Sequence, residues 1–343
     1  MKQTKSNNQI LSVNNLKVHF PITGGFFKKT LGNVRAVDEV SFDMNAGETL
    51  SLVGESGCGK TTAGRALMRL VKPTGGSIDY TMRNDSHIDI PTASSEQLDL
   101  VRQEMQIIFQ DPFASLNPRM TIFDIVADPL RVNGLASGSE LEDRVAEMMR
   151  VVGLSPSYMR RYPHAFSGGQ RQRLGIARTL VMNPRLIIAD EPVSALDVSV
   201  QAQILNLMQD LQDQLNLTYL FISHDLSVVQ YISHRVAVMY VGKIVEIAPT
   251  DTIFAAPKHP YTQALLSSVP VPNPEINSRG KVLEGEVADP ANPPSGCYFH
   301  PRCEFAKDIC RTQEPPMVEI VGSPGQFSKC HFAQEVNLPG VPA

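Results

Sequence analysis

One segment of the chain reads Gly54-Glu55-Ser56-Gly57-Cys58-Gly59-Lys60-Thr61-Thr62, which is a G-x-x-x-x-G-K-T pattern with one additional glycine. The residues before it, Thr49 to Val53, are apolar enough for a buried parallel strand. After it, apolar residues recur at helical spacing from Thr61 to Leu70. The glycines are therefore predicted to form a turn between a strand and a helix, which is the setting of a phosphate-binding P-loop.

The chemistry that this turn favours is anion capture. Glycines let backbone N–H groups point inward, and the N-terminus of the following helix adds a partial positive charge. Lys60 can reach the β- and γ-phosphates of a nucleotide, and the Thr61 hydroxyl can bind Mg²⁺. The alternative, a glycine-rich turn without a ligand, is disfavoured because both the strand and the helix are present.

Composition and charge exclude several classes of protein. The chain has 343 residues, enough for about two domains, and its hydrophobic fraction of 42% suits an ordinary globular protein. A net charge of −4 argues against a nucleic-acid binder with a broad basic face. No apolar run approaches the ~18 residues of a membrane span, and residues 1–9 lack a signal-peptide core. We therefore expect a cytosolic protein whose cysteines do not form structural disulfides.

Polar residues follow three predicted core strands. The strands cover residues 105–109, 186–189 and 217–223, and the residues that follow them are Gln110, the pair Asp190 and Glu191, and His224. Ligands of α/β proteins bind at such strand ends. Asp190 can hold Mg²⁺ through water, Glu191 can polarise an attacking water, and a neutral His224 can hydrogen-bond a γ-phosphate. Buried acids are costly without a compensating partner, so the acidic pair indicates a functional site.

A second candidate anion site is Ser167-Gly168-Gly169-Gln170, which opens a predicted helix over Arg171 to Met182. It combines an N-cap hydroxyl with glycine amides at a helix start. By itself the segment favours a plain N-cap over an anion site. A further turn, Ser194 to Asp197, leads into a predicted helix over Val198 to Leu215.

Other regions carry predictions of local structure only. Pro21 to Arg35 contains glycine and lysine and is predicted to be a loop. Helical spacing predicts a helix over Ser139 to Val152 that begins with a capping box of Ser139 and Glu142. Between about residues 93 and 182 the pattern is mainly helical, which indicates a helical insertion in an α/β core.

Together and in this order, the motifs resemble the nucleotide-binding domain of an ABC transporter over about residues 10 to 250. They correspond to Walker A (Gly54 to Thr62), the Q-loop (Gln110), the signature (Ser167 to Gln170), Walker B with its glutamate (Ile187 to Glu191), the D-loop (Ser194 to Asp197) and the switch histidine (His224). The resemblance implies an α/β fold: a P-loop NTPase core of ABC type with an antiparallel β subdomain and a helical subdomain at about 93–182. Two such domains pair head to tail in that family. This chain holds one complete set, so it is expected to pair with a second chain.

The resemblance also implies a role for each site residue. The implied catalytic residues are Glu191, His224 and Gln110. The implied Mg²⁺ ligands are Thr61, Gln110 and Asp190. ATP is bound by Phe20, which stacks on adenine, and by Gly54, Glu55, Ser56, Gly57, Cys58, Gly59, Lys60, Thr61 and Thr62. The partner's ATP is met by Ser167, Gly168, Gly169 and Gln170, beside the D-loop residues Ser194, Ala195, Leu196 and Asp197. Every catalytic position of the family pattern is intact, which predicts a working ATPase.

A narrower resemblance is carried by Phe109 to Thr121, Ser194 to Gln203, and His259-Pro260-Tyr261 with the tail after it. These segments look like the ATPase subunits of bacterial oligopeptide and dipeptide importers, and more like the F-type than the D-type subunit. The resemblance implies an ABC nucleotide-binding domain at 1–257 and a C-terminal extension at 258–343.

The implied activity is ATP-driven import of di- or oligopeptides by a protein bound peripherally at the cytoplasmic face of the inner membrane. The implied partners are a second ABC ATPase subunit in a heterodimer, two membrane permease subunits and an external substrate-binding protein, but no nucleic acid. Two alternatives stay open. The chain could be an ATPase of the same kind that powers import of another substrate, such as nickel or glutathione, or a soluble ABC ATPase of DNA repair or translation.

Four cysteines lie in the tail, at Cys297, Cys303, Cys310 and Cys330. Four thiolates suit either tetrahedral Zn²⁺ or an iron–sulfur cluster, and the spacing also allows four incidental thiols. The tail has little apolar material of its own, so a metal is expected to replace the missing core. The resemblance implies a [4Fe–4S] cluster, with Zn²⁺ as the alternative.

Overall fold

The computed structural model describes residues 8–24, 29–111, 115–267 and 285–341. The Pro-rich stretch at 269–274, whose composition is typical of an extended linker, and residues 112–114 of a segment that carried the importer resemblance lie outside the described residues. The strands are β1 (Gln9–Gly24), β2 (Lys29–Asn45), β3 (Thr49–Val53), β4 (Gly75–Thr81), β5 (His87–Asp89), β6 (Met105–Ile108), β7 (Leu186–Asp190), β8 (Thr218–Ile222), β9 (Arg235–Tyr240), β10 (Lys243–Pro249), β11 (Val318–Glu319) and β12 (Phe327–Ser328).

The helices are α1 (Lys60–Leu67), α2 (Ser95–Glu104), α3 (Ile122–Val132), α4 (Gly138–Val151), α5 (Gly168–Leu180), α6 (Val198–Leu215), α7 (Leu226–Ile232), α8 (Thr250–Ala255), α9 (Pro260–Leu266) and α10 (Asp308–Thr312). Short 3-10 turns cover Pro156–Tyr158, Pro163–Ala165 and His300–Arg302. Within the described ranges, no helix combines the length and the apolar character needed to cross a bilayer.

The larger sheet has the strand order β11-β12-β10-β9-β3-β8-β7-β6. Its centre is parallel, because β3 pairs in parallel with both β8 and β9, and β7 pairs in parallel with both β8 and β6. Every residue of β3, β7 and β8 is buried, as expected for continuous apolar runs that are covered on both faces. The exits of β3, β8, β7 and β6 therefore lie side by side at one edge.

The second sheet, β2-β1-β4-β5, is antiparallel, and it shows that the loop predicted over Pro21 to Arg35 is wrong. β1 continues to Gly24 and pairs with β2 as far as Lys29, with Pro21 opposite Asn33. The physical reason is that β4 pairs with β1 only up to Lys17, so the last part of β1 is bonded on one side. A proline, which lacks an N–H, is tolerated in such an edge segment.

In the segment between β6 and β7, α3, α4 and α5 pack together in a core that also includes residues of β6, β7, β8 and α6. Thr121 caps α3, since its hydroxyl accepts a hydrogen bond from the Asp124 N–H at 3.2 Å. The capping box predicted at Ser139 is wrong: the helix begins one residue earlier, and its N-cap is Ser137, whose side chain makes no capping bond. The start of α4 is thus less tightly defined than the sequence indicated.

The C-terminal extension joins the larger sheet and does not form a separate layer. β12 pairs with β10, with Ser328 opposite Glu246, and β11 pairs with β12. Tyr261 and Phe299 are buried in a core that also contains Tyr240 of β9. The expectation that a metal replaces a missing core is therefore wrong, because residues before 257 supply the apolar surface on which the extension packs.

Glu246 is a fully buried acid at the junction between β10 and the extension. Its carboxylate accepts hydrogen bonds from the backbone N–H groups of Lys258 and His259, at 2.7 and 2.9 Å. It also accepts one from Nε2 of Gln326 at 3.0 Å. Burial raises the pKa of Glu246 to about 7, although these donors act in the opposite direction.

This pKa predicts how stability depends on pH. Since the pKa of folded Glu246 is about 7 and the ordinary value is 4.5, the folded state holds the proton more tightly than the unfolded state. The resulting stability is complete below the ordinary pKa and is lost as pH rises through the folded pKa. Between roughly pH 6 and 8 we expect the free energy of unfolding to fall by about 1 kcal/mol more than in Glu246→Gln. Urea unfolding followed by circular dichroism measures the free energy of unfolding of wild type and Glu246→Gln at each pH. An equal change with pH in the two proteins would contradict the prediction.

Candidate functional site

The P-loop connects β3 to α1 and is shaped by glycines. Gly54 and Gly59 have φ of 149° and 105°, values that residues with a side chain rarely adopt. A Cβ at Gly54 would lie 2.1 Å from the carbonyl oxygen of Met239, and one at Gly59 would lie 2.0 Å from that of Ala36. Backbone fills both spaces, so only glycine fits.

Lys60 is held inside this turn. Its side chain is buried, and Nζ donates hydrogen bonds to the carbonyl oxygens of Gly54 at 2.8 Å and Glu55 at 2.9 Å. Ser56 and Gly57 are exposed at the tip of the loop, and Cys58 is buried behind it. Burial raises the pKa of the Cys58 thiol, which makes it a poor nucleophile.

Thr61 and Asp190 meet at the start of α1 and the end of β7. The Thr61 hydroxyl donates to Oδ1 of Asp190 at 2.8 Å, and an Arg65 nitrogen lies 3.9 Å from Oδ2. Asp190 is almost fully buried, and burial raises its pKa. A divalent cation beside this carboxylate would favour the ionised form.

Among the residues that the structure describes, no three His, Cys, Asp or Glu side chains are arranged to hold a metal ion. Magnesium does not need such a cage, because it usually keeps several waters and uses one or two protein ligands with substrate phosphates. The pair of Thr61 and Asp190 suits this kind of binding.

Glu191 joins the exits of three parallel strands. Nε2 of Gln110, which follows β6, donates to Glu191 Oε2 at 2.8 Å. Nδ1 of His224, which follows β8, lies 3.1 Å from Glu191 Oε1. The Glu191 backbone donates to the carbonyl oxygen of Ile222 at 3.0 Å and has φ of 48°. Backbone strain of this kind persists where surrounding contacts fix a functional side chain.

The turn at residues 167–170 begins α5 and faces outward. Ser167 and Gln170 form a capping box, in which the Gln170 N–H donates to Ser167 Oγ at 3.4 Å and the Ser167 N–H donates to Gln170 Oε1 at 3.1 Å. Ser167 is exposed. A Cβ at Gly169 would lie 2.4 Å from Val200, so this turn packs tightly beside the start of α6.

The neighbouring residues of these motifs are placed as follows. Gly168 lies beside Leu196 of the 194–197 turn, in which Ser194, Ala195 and Asp197 are exposed. The Ser194 hydroxyl donates to the carbonyl oxygen of Glu191 at 3.1 Å, which ties this turn to the Glu191 site. Phe20 lies on β1 opposite Val34 and is 43% exposed.

The four tail cysteines line one cavity of about 20 Å³, together with Phe299 and Phe305. All four are free thiols. Burial, reinforced by the neighbouring cysteines, raises the pKa of Cys297 to about 11 and of Cys303 to about 12. The four thiols thus line one largely apolar cavity.

Sequence reasoning missed two contacts between the P-loop and the extension. Arg302, in the extension, pairs with Glu55 through two hydrogen bonds of 2.8 and 3.1 Å. The hydroxyl of Tyr261 accepts a hydrogen bond from the Glu55 N–H at 2.9 Å. No spacing rule links residues so far apart in the chain.

Comparison with known proteins gives two matching families. Residues 37–194 match the family described as ABC transporter, and residues 245–310 match the oligopeptide/dipeptide transporter C-terminal region. The chain is 53% identical to the oligopeptide transport ATP-binding protein AppF of Bacillus subtilis, over 94% of this chain and 97% of that protein. It is 51% identical to a probable peptide ABC transporter ATP-binding protein, y4tS, of Sinorhizobium fredii, over 94% of this chain and 89% of that protein.

Two solved structures share the fold. The ATP-binding cassette MJ0796, in a dimer bound to ADP and Pi, has a TM-score of 0.60 and 27% identity, covering 70% of this chain and 99% of that one. The cbiO1 protein of Clostridium perfringens, part of the transporter complex cbiONQ, has a TM-score of 0.61 and 26% identity, covering 72% of this chain and 91% of that one. The ABC cassette fold with its antiparallel sheet, predicted from the sequence, is confirmed.

The glycine geometry generates a prediction for the P-loop. Gly59→Ala should lower the free energy of unfolding by about 3 kcal/mol or more, because the new methyl group meets the Ala36 carbonyl oxygen. Gly57→Ala is the matched control, since its φ is also positive but nothing lies within 4 Å of the added Cβ. It should cost only about 1 kcal/mol. Urea unfolding of both variants measures the difference, and equal losses would show that steric contact does not define this turn.

Proposed function

Because the chain belongs to the family of ABC transporter ATP-binding proteins with the oligopeptide/dipeptide transporter C-terminal region, we propose that it is the subunit that powers import of di- or oligopeptides. The observation that carries the proposal is the extent of the likeness to oligopeptide transport ATP-binding proteins, which runs through the ATPase core and the extension alike. Family membership also makes the chain an ATP-hydrolysing enzyme.

We infer the catalytic parts from the contacts. ATP binds with its β- and γ-phosphates at the P-loop amides and the Lys60 ammonium. Glu191, whose side chain is 14% exposed, accepts a hydrogen bond from the attacking water and increases its nucleophilicity. Gln110 and His224 hold the Glu191 carboxylate from two sides and lie where they can respond to loss of the γ-phosphate.

Mg²⁺ would be held by Thr61 and Asp190, with Gln110 as a further proposed ligand, and when bound it would neutralise charge on the phosphates. The donor set fits, since a hydroxyl and a buried carboxylate already lie in contact. Lys60 and Arg65 bring positive charge to the same carboxylate and limit the cost of its burial.

A second ATPase subunit completes the site in this proposal. The exposed Ser167 hydroxyl and the amides of Gly168 and Gly169 at the start of α5 form a surface suited to a γ-phosphate. Because that surface faces outward, the triphosphate it contacts is one bound by a partner molecule. We propose a heterodimer of this kind at the cytoplasmic face of the membrane, with two permease subunits and an external substrate-binding protein.

Glu191→Gln tests the proposal in the assembled transporter. Loss of the carboxylate should lower ATP hydrolysis and peptide uptake by about 100-fold or more while ATP binding is retained. Phosphate release and uptake of a labelled oligopeptide are measured in proteoliposomes, with Glu335→Gln, an exposed residue of the extension, as the control.

Two outcomes would contradict the proposal. Unchanged phosphate release in Glu191→Gln would remove Glu191 from the mechanism. Hydrolysis stimulated by nickel or glutathione, but not by any peptide, would leave the ATPase in place and overturn the cargo.

We further propose that Cys297, Cys303, Cys310 and Cys330 hold a [4Fe–4S] cluster. The four thiols share one cavity, and their number and softness fit such a cluster. Tetrahedral zinc would need sulfur atoms roughly 3.8 Å apart, from a Zn–S bond of about 2.3 Å. Zinc is the alternative.

Metal analysis of anaerobically purified protein tests this site. We expect about four iron and four sulfide per chain, lost together in Cys303→Ser. Cys58→Ser is the control, because Cys58 lies in the P-loop. One zinc per chain would show that the site binds zinc and not an iron–sulfur cluster. Protein that contains neither iron nor zinc would overturn the proposal.

A further inference from the structure

The closest link between the extension and the P-loop is the ion pair of Arg302 and Glu55. Nη1 of Arg302 contacts Oε2 of Glu55 at 2.8 Å, and Nη2 contacts Oε1 at 3.1 Å, so the pair is bidentate. The Arg302 side chain is 4% exposed and the Glu55 side chain 25%. A partly buried bidentate pair holds both side chains in one geometry and is stronger than an exposed one.

A second contact fixes the backbone of the same residue. The Tyr261 hydroxyl accepts a hydrogen bond from the Glu55 N–H at 2.9 Å. Tyr261 is fully buried, and its ring lies 4.6 Å from that of Tyr240 and 5.4 Å from that of Phe299. Its hydroxyl is therefore positioned by a rigid aromatic cluster.

These contacts act on the peptide group that also binds the P-loop lysine. The N–H of Glu55 and the C=O of Gly54 belong to one peptide unit. Tyr261 accepts from that N–H, while Nζ of Lys60 donates to that C=O at 2.8 Å. Because a peptide unit is planar, the orientation imposed by Tyr261 sets the direction of the carbonyl that positions Lys60.

Charge gives Arg302 a further effect. Glu55 places a carboxylate in the loop that binds a triphosphate, and an uncompensated negative charge there repels the ligand. Arg302 neutralises this carboxylate and turns it toward the extension. Loss of the guanidinium would leave the charge beside the phosphates and release one of the two restraints on Glu55.

We propose that Arg302 is a positioning residue for ATP: it acts through Glu55, together with Tyr261, to keep the P-loop in its binding form. The extension is then a structural part of the nucleotide site. This inference depends on ATP binding at the P-loop and does not depend on the transported cargo.

The test is ATP binding to the full-length chain, measured by isothermal titration calorimetry with Mg²⁺ present. Arg302→Met should weaken ATP binding about tenfold, since it leaves a charged partner unpaired. Adding Glu55→Gln to that variant should restore the affinity to within about threefold of wild type, because the carboxylate that repels the phosphates is gone. The single variant Glu55→Gln completes the double-mutant cycle. Arg311→Met, at an exposed arginine of the extension, is the matched control.

Kinetics of the assembled transporter supply the second readout. Arg302→Met should raise KM for ATP about as much as it raises Kd and leave kcat nearly unchanged. Unchanged ATP affinity in Arg302→Met would overturn the proposal. A weakened affinity that Glu55→Gln does not restore would also overturn it, since Arg302 would then act only by packing. Failure of wild type itself to bind ATP would instead contradict the proposed function.

Discussion

A carboxylate buried at the end of a parallel strand is the constraint on which the arrangement depends. Burial raises the pKa of Asp190, so its ionised form is unfavourable until a cation or donors compensate it. The Thr61 hydroxyl supplies one donor at 2.8 Å, and it can do so only because the glycine turn sets the start of α1 against β7. The neighbouring exits of β6 and β8 then bring Gln110 and His224 to Glu191. Strand order thus determines which side chains meet.

Much of this site could be predicted from local rules. The P-loop, the polar residues after buried strands and the N-cap at Ser167 each depend on residues close together in sequence. Parallel pairing then places the strand exits at one edge, as Gln110, Glu191 and His224 show. Ser137 was missed as the N-cap of α4 because a serine–glutamate spacing nearby fitted a capping box equally well.

Other features depend on partners that a linear pattern does not reveal. The end of β1 reads as a loop because it is exposed, yet β2 supplies its hydrogen bonds. The extension seemed to lack a core because its apolar partners lie on β9 and in the P-loop strand β3. The pairing of Arg302 with Glu55 joins residues separated by 247 positions, and no periodicity encodes it. Because the extension packs on residues distant in sequence, its core cannot be recognised from its own residues. The same packing connects the extension to the nucleotide site.

We propose that Lys60, Asp190, Glu191 and His224 act on one triphosphate, which the outward-facing turn at Ser167 of a second molecule covers. The most direct measurement is a cryo-electron microscopy structure of the assembled transporter with ATP bound. We expect γ-phosphate density between the Lys60 ammonium of one ATPase subunit and the signature turn of the other. A triphosphate enclosed by a single chain, or one that contacts Lys60 but lies far from Asp190 and Glu191, would contradict it.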